Sequence, residues 1–401
     1  MISPFALNLR HLRALEHVVR LGSLNRAAEA AGISQPALTQ GLGKMERLLG
    51  VALFERHSGG MTPTDAGRVL AGRAARAFDC LSASSPRPGR AGQRGFARPE
   101  WLMTATQLDA FRHFADAQSF AGAAAASGLS QPGIHRAVRE LEQICGKPLV
   151  ERRGRGVVLT AAGRALGRGV RLAAAEIAAG IAEARGDDSD GGRVAVGAMP
   201  LSRAQLLPDA LARFLAADPR SVVDVTEGSW RDLIDPLLDG VIDLMVGALR
   251  DPPPPGVVQV ALATDQLAIF GRAGHPLQGQ AATLATLAGQ QWIVGPPGTP
   301  LRAHWRALFN GAEPAVPVEC GSVMVIRGLL TRSDFLTLLS PDQVALEVGA
   351  GVLARIGPEL TGTRRTIGIT MRAGWQPSRT QARFVDALHQ AAKSTMVQHI
   401  G

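Results

Sequence analysis

An internal repeat constrains this 401-residue chain more than any other feature. Ser34-Gln35-Pro36 returns as Ser130-Gln131-Pro132, Ala27-Ala28 as Ala123-Ala124, Glu46 as Glu142 and Gly50 as Gly146. Glu55-Arg56 returns as Glu151-Arg152, while Thr64, Gly67 and Arg68 return as Thr160, Gly163 and Arg164. Every pair lies 96 residues apart and no gap is needed. So many agreements in one register are not chance, and the front half reads as two copies of one unit. Between them, Ser84–Glu100 is dense in Pro, Gly and Arg, a composition that reads as an extended, flexible linker. A second break, Gly186–Gly192, precedes the remainder. The expected division is 1–83 for the first unit, 84–100 for the linker, 101–186 for the second unit with a long helix, and 187–401 for a third domain. The stretch after Thr160 is rich in Ala, Leu, Glu and Arg, which suits one helix. Its glycines either weaken that helix or permit close packing.

Each copy carries the same succession of signals. A helical pattern is apolar at Leu12, Leu15 and Val18-Val19, or at Leu108, Phe111 and Phe114. A short helix starts near Ser23 or Ser119, and a glycine-containing turn follows at Gly32 or Gly128. Ser34 or Ser130 then suits the N-cap of a third helix, with Pro36 or Pro132 tolerated in its first turn. That third helix has a buried stripe at Leu38, Leu42, Met45 and Leu49, or at Ile134, Val138, Leu141 and Cys145. Its opposite face carries Gln35, Thr39, Gln40, Gly43 and Arg47 in one copy, and Gln131, His135, Arg136, Arg139 and Gln143 in the other. Amide, hydroxyl and guanidinium groups on one face suit the major groove, where Gln pairs with adenine and Arg with guanine. On an isolated helix such a face reads equally as ordinary solvated surface; its recurrence in a repeated unit favours recognition. Leu53-Phe54-Glu55-Arg56 and Leu149-Val150-Glu151-Arg152, each running into a tip (Arg153 and Arg155 in the second copy), fit a short hairpin or wing able to reach phosphate or the minor groove. Thr64 and Thr160 then cap the next helix.

Charge agrees with a front that binds a polyanion. Of the net +9, residues 1–100 hold +7, residues 101–186 hold +4 and residues 187–401 hold −2. A basic front joined to a near-neutral back implies two jobs. Cys80, Cys145 and Cys320 are scattered and odd in number, which opposes a disulfide framework and a zinc site; neither a metal nor a cofactor is expected. No apolar run is long enough to span a bilayer, and the N-terminus lacks a secretory pattern, so the expected compartment is the cytoplasm.

At Ser34-Gln35-Pro36-Ala37-Leu38, Glu46, Leu48-Leu49-Gly50, Leu53-Phe54-Glu55-Arg56 and Thr62-Pro63-Thr64-Asp65-Ala66-Gly67 the chain resembles the LysR-type transcriptional regulators. The second copy matches through Ser130-Gln131-Pro132, Leu141-Glu142, Gly146-Lys147-Pro148-Leu149, Glu151-Arg152 and Leu159-Thr160-Ala161-Ala162-Gly163. The resemblance implies a multidomain protein: two all-α-rich winged helix-turn-helix domains plus a C-terminal α/β effector domain of two subdomains, like the periplasmic solute-binding proteins. It implies double-stranded promoter or operator DNA, a small-molecule effector, homodimers or homotetramers, and RNA polymerase as partners, with no membrane and no catalysis. One departure stands out: family members ordinarily carry a single winged unit.

From Gly192 onward strand-like and helical runs alternate, which implies parallel strands. With the resemblance, the first subdomain covers about 192–263 and returns at about 374–395; the second fills 264–373, with crossings near Leu267–Phe270 and Thr366–Thr370. Ligands in such folds sit beyond strand C-termini, near helix N-termini. Ser202, Gly228, Ser229, Thr299 and Ser322 are the candidate effector contacts, with Met199 and Ser340 nearby; their short hydroxyls suit a small organic acid, although serines cap helices in any case. Rival readings are an enzyme, opposed by the lack of any catalytic motif, a solute carrier, and a chain in which one winged copy serves only protein pairing.

Overall fold

The computed structural model describes residues 2–57, 60–86, 96–154, 156–186, 191–310 and 313–398. The chain divides at about Gly192 into two compact units. The first unit opens with α1 (Leu9–Leu21), α2 (Leu24–Ala31) and α3 (Gln35–Leu49). An antiparallel hairpin, β1 (Phe54–His57) and β2 (Gly60–Pro63), leads into α4 (Asp65–Ser84). The same order recurs as α5 (Ala105–Ala117), α6 (Phe120–Ser127), α7 (Gln131–Cys145), β3 (Val150–Arg153), β4 (Gly156–Leu159) and α8 (Ala161–Arg185).

Local chemistry sets these boundaries. Ser23 and Ser119 cap α2 and α6, and Ser34 and Ser130 cap α3 and α7, each hydroxyl oxygen accepting a first-turn backbone N–H. Between the second and third helices the chain turns at Gly32 (φ +65°) and Gly128 (φ +71°), a left-handed conformation that costs a side-chain-bearing residue free energy. The stripe Leu38, Leu42, Met45 and Leu49 is buried, as is Ile134, Val138, Leu141 and Cys145.

Buried apolar residues from both copies merge into one core cluster. The long helices α4 and α8 run antiparallel across it. A Cβ added at Gly180 would lie 2.8 Å from the Arg73 Cβ, and one at Gly169 would lie 2.8 Å from the Cys80 carbonyl oxygen. The glycines therefore let the two helices approach closely. Arg73, only 6% exposed, donates from Nη1 to Glu176 (3.1 Å) and from Nε to Glu183 (3.1 Å). Arg76 Nε donates to the same Glu176 carboxylate at 2.9 Å.

The expected flexible linker is partly ordered. Ser84 is still helical, and Pro99–Trp101 form a 3-10 turn in which Glu100 is buried. The Arg13 guanidinium explains this order: it lies 4.5 Å from the ring centroids of both Phe78 and Trp101, and its Nη2 donates to the Glu100 carbonyl at 3.2 Å. Residues 87–95 lie outside the described part.

The second unit begins with β5 (Arg193–Ala198), α9 (Leu206–Ala217), β6 (Val222–Glu227), α10 (Trp230–Leu238), β7 (Leu244–Ala248) and β8 (Val257–Gln266). It continues through β9 (Ala268–Arg272), α11 (Leu284–Ala288), β10 (Gln291–Val294), α12 (Pro300–Leu308), β11 (Ala315–Glu319), α13 (Val323–Leu330) and β12 (Leu336–Leu339). It ends with α14 (Ala345–Gly349), β13 (Leu353–Ile356), β14 (Arg364–Arg372) and α15 (Arg379–Gln398). Two five-stranded sheets result, ordered β6-β5-β7-β14-β8 and β11-β10-β12-β9-β13.

Two expectations need correcting. The sheets are mixed: β5, β6 and β7 pair in parallel, as do β10, β11 and β12, but β14 pairs antiparallel with β7 and β8, and β9 with β12 and β13. Also, the second subdomain ends earlier than 373. The strands β8 and β14 pair along their length, from Gln266 with Arg364 to Val257 with Arg372, so the whole ribbon belongs to the first sheet. The chain therefore crosses after Gln266 and returns before Arg364. Among the described residues, no helix is long and apolar enough to cross a membrane.

Candidate nucleic-acid interface

The two third helices are held by matched frames. Glu46 Oε1 accepts from the backbone N–H of Leu53 (2.8 Å) and Phe54 (3.3 Å); Glu142 Oε1 accepts from Leu149 (2.9 Å) and Val150 (3.3 Å). Each carboxylate thus ties the third helix to the start of its hairpin, using charge-assisted bonds. Thr64 Oγ1 donates to the Ala52 carbonyl and Thr160 Oγ1 to the Pro148 carbonyl, both at 2.8 Å, and both cap the next helix. At Gly67 and Gly163 a Cβ would collide with the carbonyl of Leu53 or Leu149.

On this frame the outer faces differ. In α3, Gln35, Gln40 and Arg47 are exposed. The Thr39 hydroxyl donates to the Gln35 carbonyl (3.1 Å) and accepts from the Gln35 amide (3.2 Å), which lays Gln35 along the helix. Gly43 leaves a gap that Arg47 fills, its Nη1 3.7 Å from where a Gly43 Cβ would stand. In α7, Gln131, Arg136 and Arg139 are exposed. His135 instead stacks on Phe120, ring centroids 3.5 Å apart and 17° between planes, so only part of its ring reaches solvent. The capping serines Ser34 and Ser130 engage backbone N–H groups of Ala37 (3.4 Å) and Gly133 (3.2 Å), and the prolines Pro36 and Pro132 are exposed beside them. In the hairpins, Arg152 and Arg153 are exposed, and the backbone of Arg56 pairs with Met61. Arg155 lies outside the described residues.

Sequence reasoning missed four supports. His11 packs over Gly41 where α1 meets α3, and burial followed by nearby Lys44 lowers its pKa. The Arg13 contacts and the Phe120–His135 stack were equally invisible, and the Arg73–Glu176–Glu183 cluster was overlooked. For the cluster a signal existed: Glu176 and Glu183 sit seven residues apart, two turns along one helix face. Cys145 is fully buried, and burial followed by Glu142 pushes its thiol up to about 12.

In the second unit Ser202 is buried and its Oγ donates to the carbonyls of Met199 (2.9 Å) and Val246 (3.1 Å). It lines a narrow cavity of about 30 Å³ with Leu206, Thr264, Asp265 and Ser340. Ser340 Oγ donates to Asp265 Oδ1 at 2.7 Å, and Arg365 Nε donates to Asp265 Oδ2 at 2.6 Å. Gly228, Ser229, Thr299 and Ser322 lie off this cavity. The Ser229 hydroxyl donates to Asp232 (2.7 Å) and holds that carboxyl below its ordinary range. Thr299 caps α12 and Ser322 caps α13.

The bacterial regulatory helix-turn-helix model of the lysR family matches residues 9–68 and again 105–164, and the LysR substrate binding domain matches 187–393. The HTH-type transcriptional regulator GalR of Pseudomonas putida is 35% identical over 379 residues, 92% of this chain and 93% of that protein. The SDS degradation transcriptional activation protein of a Pseudomonas species is 36% identical over 280 residues, 67% of this chain and 90% of that protein. Among solved structures, ArgP of Mycobacterium tuberculosis superposes with a TM-score of 0.60 at 19% identity, covering 71% of this chain and 96% of its own. A full-length OxyR variant of Pseudomonas aeruginosa gives 0.57 at 22% identity, covering 72% and 94%. Hairpin, caps, brace and both family matches converge on one conclusion: the chain belongs to the LysR family of bacterial helix-turn-helix transcription regulators, with a substrate-binding domain behind its DNA-binding front.

Proposed function

We propose that this regulator reads its operator with both winged copies, a tandem duplication, and that a small organic acid in the C-terminal domain controls the outcome. The division carried forward is 1–83 and 101–186 for the winged domains, 84–100 for the connection between them, and 187–401 for a periplasmic-binding-like effector domain. Homodimers or homotetramers of the chain act in the cytoplasm, with RNA polymerase as a further partner. The observation that carries this reading is the pairing of one repeated frame with two exposed polar faces. In α3, Gln35, Gln40 and Arg47 face solvent, with Thr39 positioning Gln35; in α7, Gln131, Arg136 and Arg139 do so, with His135 backed by Phe120. Ser34, Pro36, Ser130 and Pro132 place each helix N-terminus toward phosphate, and Arg56, Arg152, Arg153 and Arg155 add wing contacts.

A DNase I footprint on the upstream region tests it, comparing wild type with Gln35→Ala/Thr39→Ala and with Gln131→Ala/Arg136→Ala. The expected outcome is loss of a different part of the footprint by each double variant. Loss by only one of them would assign DNA reading to that copy alone.

For the effector, the candidates are Ser202, Gly228, Ser229, Thr299 and Ser322, which follow the C-terminal ends of β5, β6, β10 and β11 in sequence. The 30 Å³ cavity holds about one water, so an organic acid enters only if the cleft opens. A thermal-shift screen of small carboxylates against wild type and Ser229→Ala checks this. Stabilisation that Ser229→Ala leaves unchanged would remove Ser229 from the set.

A further inference from the structure

The contacts between α4 and α8 exchange when the two copies are exchanged. Under the 96-residue offset, Gly169 corresponds to Arg73 and Gly180 to Ser84. Gly169 packs against Ser84, and Gly180 packs against Arg73. The pair 84 with 73 and the pair 73 with 84 are both present, the mark of a two-fold, isologous arrangement. The copies are thus joined as two protomers of a dimer would be, inside one chain.

The charges at this seam, Arg73 buried and Arg76, Glu176 and Glu183 half-buried, break that symmetry. All the cations of the cluster, Arg73 and Arg76, come from α4, and both carboxylates, Glu176 and Glu183, come from α8. Burial works against the Arg73 charge, but the bonds from Glu183 and Glu176 outweigh it and raise its pKa. If α8 met α8 of a second chain, Glu176 and Glu183 would face the equivalents of Arg73 and Arg76, which are Gly169 and Leu172. If α4 met α4, Arg73 would face Cys80, the equivalent of Glu176, and no carboxylate. Pairing α4 with α4 strands the buried Arg73 charge without a carboxylate, and pairing α8 with α8 strands two half-buried carboxylates without a cation; removing one partner of such a pair is destabilising. The fourteen residues between Ser84 and Pro99 also hold α8 at high effective concentration near α4 of its own chain.

We propose that Arg73, Arg76, Glu176 and Glu183 form a pairing code that closes α4 onto α8 of the same chain and rejects the like helix of a second copy. One chain then presents a complete two-fold pair of winged domains, an asymmetric reader for two unlike half-sites. That asymmetric reading rests on the proposed role of both copies as DNA-binding; the pairing itself does not.

The test uses full-length protein in four forms: Arg73→Glu/Arg76→Glu, Glu176→Arg/Glu183→Arg, the chain carrying all four changes, and the two one-sided variants co-expressed under different tags. Thermal melting of the front half and the operator footprint are read together. Each one-sided variant is expected to melt about 10 °C lower, as breaking a buried pair implies for a unit of this size. The four-change chain recovers most of that loss, and the co-expressed mixture does not, because each chain can pair only with itself. A mixture that recovers would show pairing between chains and overturn the proposal. So would one-sided variants that melt like wild type, or a four-change chain that stays low. A wild-type footprint missing altogether, with the melting pattern intact, would sink the DNA reading while leaving the pairing code standing.

Discussion

The two winged copies of this chain share a frame and differ in the face it presents. The residues that recur at the 96-residue offset have structural duties: Ser34 and Ser130 cap the third helix, Glu46 and Glu142 brace it to the hairpin, and Gly67 and Gly163 admit a carbonyl. The polar residues that changed on the third helix lie away from its buried stripe: Thr39 against His135, Gln40 against Arg136, Gly43 against Arg139. Removing a brace or a cap leaves backbone groups unsatisfied in both copies alike, so those positions have no freedom. An exposed face carries no such burden and is free to specialise. The lesson is that positions bonded to the backbone of the frame recur, while positions free of such bonds, on the outer face and along the α4–α8 seam, have diverged.

The severest challenge to equal frames is at the two glycines. Gly67→Ala and Gly163→Ala each force a methyl into a backbone carbonyl that cannot rotate away. Each is expected to cost about 3 kcal/mol in chemical denaturation. Costs that differ by more than about 1 kcal/mol between the copies would show that one frame is the slacker and break the comparison.

Much of this frame was legible because it is local. Caps, turns, the 3.6-residue stripe and the hairpin each depend on residues within a few positions, and the repeat confirmed each of them twice. What stayed illegible depends on distant partners. Glu100, in a stretch rich in Pro, Gly and Arg, is buried because Arg13 reaches its carbonyl from far along the chain. The β14 strand belongs to the first sheet of the second unit because of its register with β8, which no periodicity in either strand encodes. Of the outer face, the identities of the side chains were plain, but not that His135 would stack on Phe120 or that Arg47 would reach back over Gly43.

That reach of Arg47 sharpens the comparison at the outer faces of α3 and α7. Arg139 projects directly from α7, whereas Arg47 supplies a guanidinium to the corresponding region of α3 from one turn later. Arg139→Ala is expected to lose about 2 kcal/mol, roughly thirtyfold, in operator affinity if it reads a base. Arg47→Ala, a longer and less constrained reach, is expected to lose about 1 kcal/mol. Equal losses in gel-shift titrations would make the faces equivalent after all. The wing offers a gentler contrast: Arg153→Ala should weaken all DNA sequences evenly and lower the slope of log affinity against log salt by about 1. A sequence-dependent loss would move Arg153 from phosphate to base contact.

The smallest effect concerns position three of each third helix, Ala37 in α3 and Gly133 in α7. A Cβ at Gly133 would stand 3.1 Å from the capping Ser130 Oγ, close enough that the serine must shift. The first copy shows the shift is available, since there the cap bond from Ala37 N to Ser34 Oγ is 3.4 Å, against 3.2 Å from Gly133 N to Ser130 Oγ. Alanine in place of glycine within a helix is worth about 0.5–1 kcal/mol, less whatever the longer cap bond gives up. Gly133→Ala should therefore stabilise the second copy by about 0.5 kcal/mol, and Ala37→Gly should destabilise the first by a similar amount. If both stability changes appear and Gly133→Ala also weakens operator binding, the bare backbone at Gly133 serves close approach to DNA. If affinity is unchanged, the glycine is only a weaker helix former, and the two recognition helices differ in their side chains alone.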